Sequence, residues 1–319
     1  MFTRYLSGLF VCLLSLCVSG AQAAPPANFL YTGEELDERT LALLARPDID
    51  GIQIIYNWRE LEPAEGEFDF SAIRADLESV QTLDKKLFIQ LQDRFFSSQW
   101  RPIPQYILTE PDYAGGLVPQ IDNPGEGVPQ QQGWVTIQWN PFVRARFQNL
   151  IIALADEFDG DIYGINLPES AIDIDQEADE TGFSCDRYYR ATLENVRVAS
   201  TAFRTSHVVQ YVNFWPCEWN NDQGYMQDIF EDAVAQGYGL GGPDIVPYRR
   251  GQMKNAYPFF NKHREELDLV AMAVQEPTLT YTNPETGAQF EREDFVDFAQ
   301  NYLGVDVIFW TVEAPWLTD

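Results

Sequence analysis

The sequence predicts an α/β protein built as one (β/α)8 TIM barrel. Eight apolar, β-rich runs recur from one end of the chain to the other, amphipathic runs separate them, and glutamines recur at alternate positions inside two of the apolar runs. A doubly wound open sheet is the alternative packing of such units, but no glycine-rich phosphate loop follows the first run.

Residues 1–23, MFTRYLSGLFVCLLSLCVSGAQA, read as a secretory signal peptide, with Arg4 near the start, an apolar stretch to Val18 and small residues at Ala21 and Ala23. The apolar stretch is shorter than the ~20 residues that span a bilayer. A mature barrel domain of residues 24–319 is therefore expected in the periplasm or outside the cell, with no membrane insertion after signal removal. Its length fits one large domain.

The eight runs are NFLYTG (28–33), GIQIIYNW (51–58), KLFIQLQDR (86–94), DIYGINLPE (161–169), HVVQYVNFWP (207–216), YGLGGPDIVP (238–247), DLVAMAVQEP (268–277) and VDVIFWTVEAPW (305–316). Helical spacing marks 71–81, where Ile73, Leu77 and Val80 share a face, and then 142–158, 187–203, 225–236 and 292–303. Gln53, Ile55 and Asn57 share one face of the second strand, and Gln90, Gln92 and Arg94 one face of the third. A polar row facing inward, hydrogen-bonded across layers toward the floor of a site, accounts for amides in such apolar strands. The last helix of the pattern is missing, so something else must cover the seam between the first and last strands. Residues 94–140 form a long loop, expected to be a lid or groove wall.

Lys and Arg number 21 against 49 Asp and Glu, a net charge of −28 that becomes about −29 without Arg4. That field repels nucleic acid, anionic membranes and acidic polysaccharides. Of the four cysteines, Cys185 and Cys217 remain after signal removal, and an oxidising compartment makes them a candidate disulfide. The two histidines, His207 and His263, sit at a strand start and within a helical run, which leaves zinc sites and histidine-dependent triads or dyads poorly supported. No metal or cofactor is expected.

Barrel enzymes carry their chemistry where strands end. Those ends hold Trp58, Arg59, Arg94, Asn166, Glu169, Trp215, Asp244, Gln275, Glu276 and Trp310. Indoles, amides, carboxylates and arginine suit a sugar, which offers apolar C–H faces and directional hydroxyls. Two carboxylates can run glycoside hydrolysis without a cofactor, and Glu169 and Glu276 are the candidates. Asp244 and Glu313 are substitutes for Glu276. The rest of the strand-end set supplies candidate substrate contacts.

Here the chain resembles the (β/α)8 clan of retaining glycoside hydrolases that includes β-galactosidases, xylanases and cellulases. The resemblance is carried by NWRELEPAEGEFDFSAI (57–73), NLPES (166–170), VQEP (274–277) and IFW (308–310), with EPxxGxFDF its most specific part. It implies Glu169 as acid/base after the fourth strand, Glu276 as nucleophile after the seventh and Trp310 as the aromatic beneath the reacting sugar. Their carboxyls would lie ~5–5.5 Å apart in a retaining geometry. One departure is Pro168, where the clan has asparagine directly before the acid/base; Asn166 stands two residues earlier. The implied activity is hydrolysis of a neutral oligo- or polysaccharide. A non-catalytic carbohydrate-binding barrel of the cell envelope is the alternative that Pro168 favours.

Overall fold

The computed structural model describes residues 25–33, 36–94, 97, 99–122 and 130–317; the export segment expected at 1–23 lies outside them. Its strands are β1 (Ala27–Thr32), β2 (Gly51–Asn57), β3 (Lys86–Gln92), β4 (Leu117–Asp122), β5 (Gln130–Thr136), β6 (Gly164–Leu167), β7 (His207–Tyr211), β8 (Gly239–Gly242), β9 (Val270–Val274) and β10 (Val307–Thr311). Eight of them close a barrel in the order β1-β10-β9-β8-β7-β6-β3-β2, and each corresponds to one predicted run. All eight pairings are parallel, including the seam, where Phe29 faces Phe309 and Tyr31 faces Thr311. The five amphipathic runs form helices, the two longest being Pro141–Phe158 and Cys185–Ala202. Asn140 caps the first of these by accepting from Phe142 N at 2.9 Å, and Ser184 caps the second through Arg187 N at 3.3 Å.

Alternation along each strand divides the side chains into two layers. Phe29, Phe88, Val209 and Phe309 fill the barrel interior, the three phenylalanines meeting edge to face. Gly51 and Gly164 make room for them: a Cβ at Gly51 would sit 2.4 Å from the Phe29 ring, and one at Gly164 would sit 2.8 Å from Phe88. Toward the strand C-termini the interior turns polar. Gln53 donates to Asn166 Oδ1 at 2.6 Å and lies 3.0 Å from the Tyr211 hydroxyl, which is the inward polar row expected from the sequence.

Of the two unusual stretches expected from the sequence, the end of the barrel matches the expectation and the excursion after β3 departs from it. Among the described residues no α-helix follows β10; the single 3-10 turn Pro315–Leu317 covers the seam, with Trp316 packed on Trp310 at 5.1 Å and Arg46 donating to the Leu317 carbonyl. Between Arg94 and Asn140 the chain is not a plain loop. It holds the helix Gln105–Thr109 and the antiparallel pair β4 and β5. That excursion is anchored near the barrel mouth, because Ile121 N donates to the Asp173 carbonyl at 2.9 Å and Gln138 donates to Asp93 Oδ2 at 2.8 Å.

Candidate active site

The knot of side chains after β2 is structural. Trp58 is fully buried, packs on Phe147 at 5.1 Å and donates its indole N–H to Glu62 at 2.8 Å. The Glu62 carboxylate, itself fully buried, also accepts from Gly66 N at 2.9 Å, from the Tyr106 hydroxyl at 3.0 Å and from the Arg146 guanidinium. Gly66 has φ +73°, a conformation that favours glycine in this tight turn. A buried carboxylate needs several donors; the motif supplies Trp58 and Gly66, and Tyr106 and Arg146 complete the set. Trp58 is therefore not a sugar platform, and Arg59 is spent on the excursion, its guanidinium reaching the Arg101 carbonyl and Gln105.

At the C-terminal mouth of the barrel lies a cavity of about 250 Å³, lined by Tyr31, Gln90, Gln92, Glu169, Tyr211 and Gln275 among others. Each comes from the end of a different strand or from the residues just beyond it, save the two glutamines that β3 supplies at alternate positions. Gln275 is fixed by donating to the Pro243 carbonyl at 2.8 Å. Gln90 Oε1 is buried with no hydrogen-bond partner among the described residues, so it can accept from a ligand hydroxyl.

Glu169 is partly buried in this cavity. Burial pushes its carboxyl up to about 7; Asp244 adds to the rise, while Arg94 and a hydrogen bond from Asn213 oppose it. Asn213, just past β7, thus puts an amide beside Glu169, where Pro168 leaves none. Asn166 does not serve, because it is fully buried and engaged with Gln53 in the floor. Arg94 is buried, with its guanidinium 3.2 Å from both Asp93 and the Tyr188 hydroxyl.

Two further carboxylates stand near. Strand β9 stops at Val274, and Glu276 opens a short helix, Glu276–Leu279, so it escapes the alternation that turns Gln275 inward. Glu276 is exposed and accepts from the Thr311 hydroxyl on the inner face of β10. Asp244 follows β8 and accepts from Thr278 Oγ1 at 3.2 Å; burial raises its proton affinity against the pull of that hydrogen bond and of Arg249. Tyr31 senses both, its phenol pushed up to about 12 by burial and then by Glu276 and Asp244. Glu313 lies apart, paired with Arg39 at 2.6 Å on the surface.

The aromatic expectations are corrected by strand parity. Phe309 and Thr311 face inward, so Trp310 between them points outward, where it is buried, packs on Phe295 and donates to Asn28 at 2.9 Å. Trp215 is likewise buried, against Tyr189 at 5.1 Å and Tyr225 at 6.3 Å. The expected disulfide joins Cys185 to Cys217, across the start of one long helix and the loop after β7.

A second hollow, of about 620 Å³, adjoins the first and shares Ile55 and Ser97 with it. Its lining includes Asn57, whose Oδ1 is buried without a partner among the described residues, and Trp100, a residue 57% exposed. Trp100 is thus an exposed indole lining a hollow beside the mouth, and only its position within the proline-rich stretch could have pointed to it.

No protein-family model and no curated protein matches the chain. Among solved structures, it is similar to the catalytic domain of a β-amylase from Paenibacillus polymyxa at 9% identity and a TM-score of 0.56, covering 90% of this chain and 92% of that one. It is also similar to a psychrophilic glycoside hydrolase family 10 endo-β-1,4-xylanase at 11% identity and TM-score 0.51, covering 90% and 87%. A third structure, described as a glycoside hydrolase, has 12% identity and TM-score 0.52, with 91% and 89% covered. The chain has the (β/α)8 fold of these hydrolases.

Proposed function

We propose that the protein is an exported glycoside hydrolase acting on a neutral oligo- or polysaccharide, with Glu169 as general acid/base and Glu276 as nucleophile. The observation that carries this reading is the carboxyl of Glu169, seated in the mouth cavity and holding its proton to about pH 7. A general acid must be protonated at working pH and still be acidic enough to release its proton to the departing oxygen. Attack by Glu276 forms a glycosyl–enzyme ester as the glycosidic bond breaks and Glu169 protonates the leaving oxygen. Glu169, now ionised, then takes a proton from the water that hydrolyses the ester. Asn213 and Gln90 are positioned to hold sugar hydroxyls, and Arg94 offsets the charge that appears on Glu169 midway. The adjoining hollow and Trp100 give room for a neighbouring sugar unit. The net negative charge favours an uncharged glycan, and the disulfide with the leader-like first residues supports export.

The test compares wild type with Glu169→Gln on aryl glycosides and a panel of neutral polysaccharides, alongside calorimetric binding. Turnover should fall at least about a hundredfold with binding retained. Glutamine retaining wild-type turnover would remove Glu169 from the mechanism. A second reading, a barrel that binds glycan without cleaving it, is favoured by Asn166 being committed to the floor; it predicts wild-type binding with no turnover on any member of the panel.

A further inference from the structure

The loop that carries Glu169 is held at the carbonyls on either side of it. Gln210 donates to the carbonyl of Pro168 at 2.6 Å. Tyr188, one turn into the helix that begins at Cys185, donates its hydroxyl proton to the carbonyl of Ser170 at 3.0 Å, with the Glu169 carbonyl 3.5 Å away. The same oxygen accepts from the Arg94 guanidinium at 3.2 Å. Tyr188 is fully buried among Trp139, Phe183 and Trp215, so no water replaces its hydroxyl. Arg94 in turn leans on Asp93, which Gln138 holds at 2.8 Å, and Gln138 accepts from Asn195, on the same helix as Tyr188, at 3.2 Å.

We propose that Tyr188 is a positioning residue for Glu169: one hydroxyl fixes the backbone flanking the glutamate and keeps the Arg94 guanidinium from closing onto its carboxyl. The inference deepens the reading of Glu169 as general acid. Without the Tyr188 oxygen, the Arg94 N–H it accepted from is left buried and unpaired; Asp93 already accepts from a different guanidinium nitrogen, and the other carboxylate within electrostatic reach of Arg94 is Glu169. A closer cation favours the ionised acid. The other titratable groups around the cavity are Asp244 from beyond β8, Tyr211 from β7, Tyr31 from β1 and Glu276 from beyond β9, which acts on Tyr31, and none is bonded to Tyr188.

The decisive experiment titrates the Glu169 carboxyl by carbon-13 NMR in the full chain, the signal being identified by its loss in Glu169→Gln. Tyr188→Phe should lower the midpoint by about half a unit or more, Arg94→Gln should raise it, and Tyr189→Phe on the same helix should leave it unchanged. Where turnover is measurable, Tyr188→Phe should move the alkaline limb of kcat/KM the same way and lower kcat about tenfold with KM nearly constant. A Tyr188→Phe titration superimposed on wild type, or shifts of equal sign in the Tyr188 and Arg94 variants, would overturn the proposal. If Tyr188→Phe does not fold, 3-fluorotyrosine at position 188 keeps the hydroxyl but makes it a weaker acceptor; the same downward shift is expected, and its absence is equally fatal. Because the titration needs no turnover, it stays separate from the question of hydrolysis, which Glu169→Gln decides.

Discussion

Replacing Glu169 with glutamine should make the protein more stable above neutral pH while removing its activity. The folded-state carboxyl titrates near 7, against an ordinary value of 4.5, chiefly because burial penalises its charge. Between those two values the folded chain holds a proton that the unfolded chain has released. Wild-type stability therefore contains a contribution that is complete below about pH 4.5 and is lost as pH rises through 7. The gap of about 2.5 units, at about 1.4 kcal/mol per unit, corresponds to roughly 3.5 kcal/mol, which the partial exposure of Glu169 trims to roughly 3 kcal/mol. Glutamine has the shape of the protonated acid and nothing to ionise. Urea denaturation of both proteins from pH 4.5 to 8.5 should give curves that coincide at the acid end and separate by roughly 3 kcal/mol at the alkaline end, with the variant above. Parallel curves across the range would mean that Glu169 ionises without penalty, and the argument for a proton held ready at neutral pH would fail.

Other consequences follow from neighbouring contacts. Glu62→Gln leaves the Arg146 guanidinium beside a neutral amide in a buried network, and should cost about 3 kcal/mol in urea denaturation; a loss under about 1 kcal/mol would contradict the structural reading of the motif after β2. Removing the 185–217 disulfide as a paired alanine variant opens a loop of sequence separation 32 and should destabilise by roughly 3–4 kcal/mol by thermal or urea unfolding. No change would mean that the bridge does not restrict the unfolded chain. Trp100→Ala should weaken binding of longer neutral oligosaccharides about tenfold while sparing an aryl monoglycoside, as read by calorimetry across a chain-length series. Equal losses at every length would sever the second hollow from the site.

The barrel was legible because eight apolar runs and the helical runs between them are long and periodic, and each became the element expected of it. Gln53 and Gln90 were legible as inward residues because an amide in an apolar strand declares which face is wet. The parity of β10 was hidden: Val307 to Thr311 is buried on both faces, so nothing in IFW distinguishes the inward Phe309 from the outward Trp310. Trp58 misleads for a related reason, since an indole beside charged residues fits either a sugar wall or a buried donor, and the carboxylate that settles it, Glu62, finds Arg146 84 residues away. The β4–β5 pair was obscured by the prolines and glycines around it. Asn213 and Tyr188 join the site only through tertiary contacts with the Glu169 loop, which no local spacing encodes.

The most direct measurement of whether Glu169 delivers a proton to the departing oxygen is the dependence of its glutamine variant on leaving-group acidity. Across a series of aryl glycosides, Glu169→Gln should lose little of the glycosylation rate when the departing phenol is strongly acidic, and progressively more as the phenol becomes a poorer leaving group, because only the latter needs protonation. A loss of the same size across the whole series would contradict the assignment and leave Glu169 a structural acid in the mouth of a sugar-binding barrel.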